Sequence, residues 1–359
     1  MVTQSFPQRT DNEAQFQRLR QHIPLLAMDV LQTFSQDHQM YSQAAENGFQ
    51  LENEIREHLR QLFLALVLEV DDIFQAYLRW CLIRYERLGF PSDELSLHLQ
   101  GMDQVIKEVV SEPVYHKLVV LLNLRLHCLV SDNPEQSYIQ PNNPYLADAQ
   151  DYLQHLLSFK RVRAIEQLVD RVLKDGVHPQ EIYFHVLMPV QQEVGRLWMI
   201  NQLSVSMEHF CSTTTRAVMS RLHGLVEPAP HHGGSLLAAC TIREQHEIGL
   251  RMVHDLFYWQ GWRSCYLGSD ISTENIHNLL AHFQPDLLAL SATMSHHLLP
   301  LRDLIRTLRE NHETAHIKVL VGGGLFTFFP PLRQQLGADF CAASPEEALV
   351  KANEWINRR

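Results

Sequence analysis

A chain of 359 residues with 45% apolar and 20% charged residues has the make-up of a globular protein with room for two or three domains. A formal net charge of -11, with no dense lysine or arginine cluster, argues against nucleic acid as a direct partner. No apolar run reaches the length of a membrane span, and the opening residues lack the apolar core of a signal peptide.

The six cysteines form no CxxC pair, which fits reduced thiols in a cytoplasmic protein. Two stretches rich in Pro, Asn, Ser and Gly read as linkers, at 131–146 and 226–234. They divide the chain into three blocks. Residues 1–130 read as an all-helical domain. NEIREHLRQLFLALVLEVDDIFQAYLRWCLIRYERLG runs without a breaker to Gly89-Phe90-Pro91, and SDELSLHLQGMDQVIKEVV opens on a Ser/Asp cap signal. Residues 147–225 carry apolar positions at helical spacing in three or four segments, enough for a helical bundle. Residues 235–359 alternate strand and helix. The strands are SLLAACTI, RSCYLGS, DLLALSAT, KVLVGGG and DFCAAS. The fold class is therefore multidomain, α followed by α/β, ending in a flavodoxin-like doubly wound parallel sheet.

Such sheets bind ligands outside the carboxyl ends of their strands. The stretch REQHEIG leaves the first strand at that edge. Glu244-x-His246-x-x-Gly249 sets an imidazole there, with a carboxylate two residues earlier to accept the ring's other N–H. That arrangement suits a metal-ligating histidine, because the carboxylate sets the tautomer and raises basicity. Gly249 lets a ligand approach the backbone. Ser291 ends the third strand and Gly322, Gly323 and Gly324 follow the fourth, on the same edge. Small residues there open a slot for a long flat ligand tail. No phosphate loop and no GxGxxG follows the first strand, which disfavours nucleotides.

Glu244-x-His246-x-x-Gly249, Ser291 and the Gly322–Gly324 run together resemble the cobalamin-binding fold. That resemblance implies a cofactor bound base-off, its benzimidazole tail in the slot and His246 as the lower axial ligand of cobalt. Glutamate at 244 resembles the CarH-type light sensors. So does Trp198, followed after nine residues by Glu208-His209 in LWMINQLSVSMEHF. In those sensors this pattern caps the upper cobalt face and its 5′-deoxyadenosyl group. The resemblance thus assigns Trp198, Val205, Glu208 and His209 to the upper face of adenosylcobalamin. Met199 departs from the pattern, since the best-known sensors carry histidine there. The upper ligand after photolysis is then water, hydroxide or a displaced side chain such as His209.

CarH-type regulators begin with a basic DNA-binding module, which 1–130 is not. The order of helical domain, cap and cobalamin fold resembles the photocobilins, which also bind biliverdin. Tyr77, Arg79, Arg84, Tyr85, His116, Arg125 and His127 are the candidate bilin contacts, with Cys81 and Cys128 as possible thioether donors. A helical dimerisation domain with snorkelling arginines and buried thiols is the alternative. The expected function is a non-enzymatic light sensor, a homo-oligomer whose assembly responds to cobalt–carbon photolysis. A corrinoid carrier of a methyltransferase system and a non-photochemical cobalamin sensor stand as alternatives.

Overall fold

The computed structural model describes residues 11–34, 51–91, 93–124, 126, 136–329 and 332–357. The chain divides into two compact units, Met1–Asp132 and Asn133–Arg359.

The first unit is helical: α1 (Asp11–Thr33), α2 (Leu51–Leu68), α3 (Asp71–Leu88), α4 (Glu94–Val109) and α5 (Glu112–Leu122). The C-terminal half of α2, LFLALVL, is buried all round, so this helix is central. α4 crosses α1 closely at Gly101, where a Cβ would meet Thr33 Oγ1 at 2.6 Å. α3 ends on Gly89 at φ 76, with Gly89 N–H bonded to Glu86 O and Phe90 N–H to Tyr85 O. This paired capping satisfies two terminal carbonyls, and glycine takes the left-handed backbone without a Cβ penalty.

The second unit opens with a helical cap: α6 (Leu146–Leu157), α7 (Arg161–Leu173), α8 (Pro179–Ile182), a π-helical turn (Tyr183–Leu187), α9 (Met188–Met199) and α10 (Val205–His223). The π turn has an identifiable cause. Pro189 lacks an N–H and its ring would strike the carbonyl four residues back, on His185. That carbonyl instead accepts from the Asn143 side chain at 2.7 Å.

The sheet domain follows: β1 (Ser235–Cys240), α11 (Ile248–Trp259), β2 (Arg263–Tyr266), α12 (Thr273–Phe283), β3 (Leu287–Ser291), α13 (Leu298–Glu310), β4 (Lys318–Gly322), α14 (Gly324–Phe328), α15 (Leu332–Leu336), β5 (Phe340–Cys341) and α16 (Pro345–Ile356). All the pairings are parallel, in the order β2-β1-β3-β4-β5. This is the flavodoxin-like order expected from the alternating pattern. Cys240 pairs with Ser291, and Ser291 with Gly322, so three strands end level at one edge.

Cap and sheet domain share apolar core. Met252 and Trp259 of α11 are buried in the cap's own hydrophobic cluster, and the Trp259 ring lies 5.1 Å from that of Tyr183. Among the described residues no helix is long and apolar enough to cross a membrane.

Candidate functional site

The site is built on the loop between β1 and α11. Its turn is held by two residues with left-handed backbone, Arg243 at φ 65 and Asp270 at φ 55. Arg243 N–H donates to the Asp270 carboxylate at 2.7 Å, and Asp270 N–H donates to Glu244 O at 3.1 Å. Asn and Asp tolerate this backbone region; an arginine there is costlier and is held by its partner.

The loop turns Glu244 inward, where it is fully buried. One carboxylate oxygen accepts from His246 N–H at 2.8 Å and faces His246 Nδ1 at 2.6 Å. The other accepts from Thr293 N–H at 2.5 Å and lies 2.8 Å from His297 Nδ1. Burial pushes the Glu244 carboxyl up, but the donors from His246, His297 and Thr293 outweigh it and hold the group well below the carboxylate range. An ionised carboxylate only accepts, so the His246 proton sits on Nδ1. In the neutral ring Nε2 is then the unprotonated nitrogen, on a side chain that is 59% exposed. The hydrogen bond to Glu244 raises the His246 pKa, and the Glu208 charge across the site adds to it.

The sign of each shift predicts a pH response. The Glu244 contribution to stability is present above its unbound value of 4.5 and is lost as pH falls towards its depressed folded value. The His246 contribution is present below 6.5 and is lost as pH rises through its raised folded value. In corrinoid-free protein, the stability difference between wild type and Glu244→Gln is expected to be largest between those two values. Thermal unfolding across pH checks this, and a difference that does not vary with pH would contradict it.

The glycines of this sheet edge differ in the space around them. A Cβ on Gly249 or Gly324 would meet no atom within 4 Å, so both border open space. On Gly322 it would come 3.8 Å from Ala342 O. Gly323 differs: its φ is 114 and a Cβ would lie 2.4 Å from Ala292 O. Ser291 is buried at the end of β3, its carbonyl accepting from Thr241 N–H at 3.4 Å.

The cap brings the Glu208 charge to bear on His246. α9 ends at Met199, the chain reverses through Asn201 at φ 59, and Ser204 Oγ caps α10 by accepting from Met207 N–H at 3.2 Å. This places Trp198 and Val205 on either side of the turn, 39% and 55% exposed. Exposed apolar side chains of this size at a turn are available to a ligand. Glu208 follows one turn after Val205. Its carboxylate takes hydrogen bonds from Ser212 Oγ and faces His209 Nδ1 at 2.7 Å. A polar tie joins the cap to the β1–α11 loop: Arg216 Nη1 donates to Glu247 at 3.1 Å, and Tyr266 OH donates to the same carboxylate at 2.9 Å.

Two participants were not singled out from sequence. His297 and the Thr293 amide complete the carboxylate clamp. The signal available was slight, a His-His pair after the third strand, in the register of the next loop.

In the first unit, the structure brings Tyr77 and Tyr85 to one buried polar cluster. His58 Nδ1 lies 2.7 Å from Tyr77 OH, His58 Nε2 lies 3.1 Å from His98 Nδ1, and Tyr85 OH donates to Glu54. Burial holds His58 neutral and lifts Glu54 to about 7. His58, His98 and Glu54 were not among the sequence candidates. Arg84 lies over the Trp80 ring at 5.2 Å, and Arg79 is half-buried. His116 stands on the surface, 70% exposed beside Glu112. Cys81 is buried, and burial raises its thiol pKa. Arg125, His127 and Cys128 lie outside the described residues.

The donor set fits a corrinoid. An exposed imidazole has its Nδ1 held by a buried carboxylate, and Gly249 and Gly324 leave open space where a ligand can approach the backbone of the same sheet edge. Comparison with known proteins agrees. Residues 234–352 match a B12 binding domain family, and residues 149–223 match a second B12 binding domain family. The chain is 30% identical over 149 residues to the HTH-type transcriptional repressor CarH of Myxococcus xanthus, covering 41% of this chain and 48% of the repressor. It thus spans about half the length of that relative. It is 26% identical to dimethylamine corrinoid protein 1 of Methanosarcina acetivorans, covering 51% of this chain and 86% of that protein. The solved monomethylamine corrinoid protein of Methanosarcina barkeri superposes with a TM-score of 0.52 at 21% identity, covering 58% of this chain and 99% of that one. Helical cap and parallel sheet thus carry paired B12 binding domains, and the chain is a cobalamin-binding protein.

Proposed function

We propose that the chain is a light sensor that holds adenosylcobalamin base-off, with His246 as the lower ligand. The observation that carries this reading is the uncovered Trp198 and Val205 on the cap, together with a Glu208 charge felt at His246. When bound, adenosylcobalamin supplies a weak cobalt–carbon bond that absorbed light breaks. The chain's own residues supply position. Glu244 keeps the proton on His246 Nδ1 and aims Nε2. Trp198 and Val205 offer an apolar cover for an adenosyl group, and Glu208 offers acceptors for its hydroxyl and amino donors. Loss of that group removes what they pack against, which biases the cap between two placements and alters self-association. No step requires acid–base or nucleophilic catalysis by this chain. Met199 carries no imidazole, so of the cap residues assigned to the upper face His209 is the one that would offer an imidazole nitrogen to the cofactor.

The first unit extends the reading to a second tetrapyrrole. A bilin brings pyrrole N–H donors, and the buried Glu54, His58, Tyr77, Tyr85 and His98 cluster offers acceptors for them. Biliverdin added to the chain is expected to survive desalting with far-red absorbance.

The match to dimethylamine corrinoid proteins favours a second reading, a corrinoid carrier that exchanges methyl groups with a partner enzyme. An indole over the upper face obstructs such exchange, which is why the sensor is preferred. Spectra and elution volume of the adenosylcobalamin-loaded chain, before and after green light, separate the two. A spectral change with altered size supports the sensor; light-indifferent methyl transfer to a partner's acceptor supports the carrier. Trp198→Ala is expected to speed dark loss of the adenosyl group, and an unchanged dark lifetime would remove Trp198 from its assigned role.

A further inference from the structure

Two turns into α11 lies a polar cluster that the corrinoid reading leaves unused. Asp255 is fully buried there. Its Oδ1 lies 2.8 Å from His254 Nδ1 and 2.9 Å from His223 Nδ1, and accepts from Arg251 Nε at 2.8 Å. Its Oδ2 accepts from Tyr183 OH at 2.7 Å. His223 sits in the last turn of α10, so the cluster spans cap and sheet domain. One ligand atom each from His223, His254 and Asp255 lies within 4.8 Å of the other two.

A hydrogen-bonded carboxylate does not account for all of this. His223 Nδ1 is shielded from solvent and 2.9 Å from Asp255 Oδ1, but its alignment falls short of a well-formed hydrogen bond, as does that of His297 Nδ1 towards Glu244. A buried polar atom left so costs about 1–3 kcal/mol. Convergence on a point between the groups is the geometry of ligands around an ion. Two imidazoles on one tetrahedral ion, at about 2.0–2.1 Å each, have ring centres roughly 5 Å apart. The His223 and His254 centres are 5.8 Å apart.

We propose that His223, His254 and Asp255 form a site for a divalent cation of the zinc class, which fastens the end of α10 to α11. Nitrogen and carboxylate donors suit such an ion, and three protein ligands leave a position for water. Each imidazole then carries its proton on Nε2. Arg251 is the competitor. Its guanidinium neutralises Asp255 when no ion is bound and must withdraw when one arrives. Room exists for this: Arg251 already lies over the Tyr266 ring at 5.3 Å and lines a cavity of about 120 Å³ shared with Glu247. Beyond His223 and His254, the polar partners of Asp255 are Arg251 and Tyr183, which are not among the residues assigned to the corrinoid.

The test is a titration of the full chain with Zn2+ against a chromophoric chelator, with thermal unfolding in parallel. The wild type is expected to take up one Zn2+ and to unfold at higher temperature with it. His223→Ala, at a half-exposed position, is expected to weaken uptake by at least about tenfold and abolish the thermal shift. Arg251→Gln removes the competing cation and is expected to tighten uptake, which a purely structural role for Arg251 would not produce. His246→Ala should leave Zn2+ uptake unchanged while affecting corrinoid. The site is refuted by a wild type that takes up no Zn2+, by equal affinity in His223→Ala, by weaker uptake in Arg251→Gln, or by uptake that falls with His246→Ala.

Discussion

His246→Ala is expected to cost the chain its corrinoid: retention after gel filtration falls by at least about a hundredfold, and the spectrum of whatever remains loses the imidazole-ligated form. The magnitude follows from what the substitution removes. Loss of a partner that merely orients a metal ligand typically costs 10–100-fold in affinity; here the ligand itself goes. The consequence does not stop at cobalt. Glu244 is buried and ionised, and His246 supplies two of the groups around it, the ring Nδ1 and the backbone N–H. The alanine variant keeps the backbone donor, together with Thr293 and His297. The fold should therefore survive, and corrinoid-free unfolding should move far less than corrinoid uptake. Glu244→Gln separates the roles: it retains an acceptor oxygen but not the charge, and should weaken uptake within the 10–100-fold range. Unchanged colour and uptake in His246→Ala would end the reading of this loop as a cobalt-binding loop.

Gly323→Ala is expected to be the most destabilising single-methyl change at the sheet edge. A φ of 114 is a glycine conformation, and an L side chain there costs about 1–3 kcal/mol. The added Cβ would also overlap Ala292 O at 2.4 Å. Ala292 N–H is bonded to Gly322 O at 3.1 Å, so this backbone has little freedom to withdraw. Overpacking of this kind costs about 1–3 kcal/mol more. A total of roughly 2–6 kcal/mol corresponds to a fall in Tm on the order of 10 °C for a unit of this size. The neighbouring Gly324→Ala is the control. Its backbone is ordinary and the space around it is open, so stability should stay within about 0.5 kcal/mol while corrinoid uptake weakens. Similar Tm values for the two variants would refute the distinction drawn between packing and cradle glycines.

The sheet was legible in sequence, and candidate residues at its carboxyl edge could be picked out, because these signals are local. Short apolar runs separated by helical segments specify a parallel sheet, and Glu244, His246 and Gly249 lie within six residues of one another. The turn from Trp198 to Ser204 was legible for the same reason, since the capping residue and the helix it caps are adjacent. What escaped the reading is what comes together from distant segments. His297 reaches Glu244 across more than fifty residues, and nothing in its own surroundings distinguishes it from a surface histidine. Asp255 and His254 look like an ordinary polar pair on an amphipathic helix until His223 arrives from the cap. In the first unit, Tyr77 and Tyr85 were picked for their chemistry, yet the groups they meet, His58, His98 and Glu54, sit on other helices. The His185 carbonyl and Asn143 show the same thing on a smaller scale. Pro189 announces a break, but only the fold shows which side chain repairs it.

The stretch 226–234 looks like a hinge between separable parts, yet Met252 and Trp259 of the sheet domain are buried among the cap's own residues. Cutting the chain there would strip a tryptophan and a methionine of their cover and leave a sticky face on each half. Neither half is then a portable module. In any rearrangement of genes, the cap helices and the sheet would have to be inherited as a single cassette.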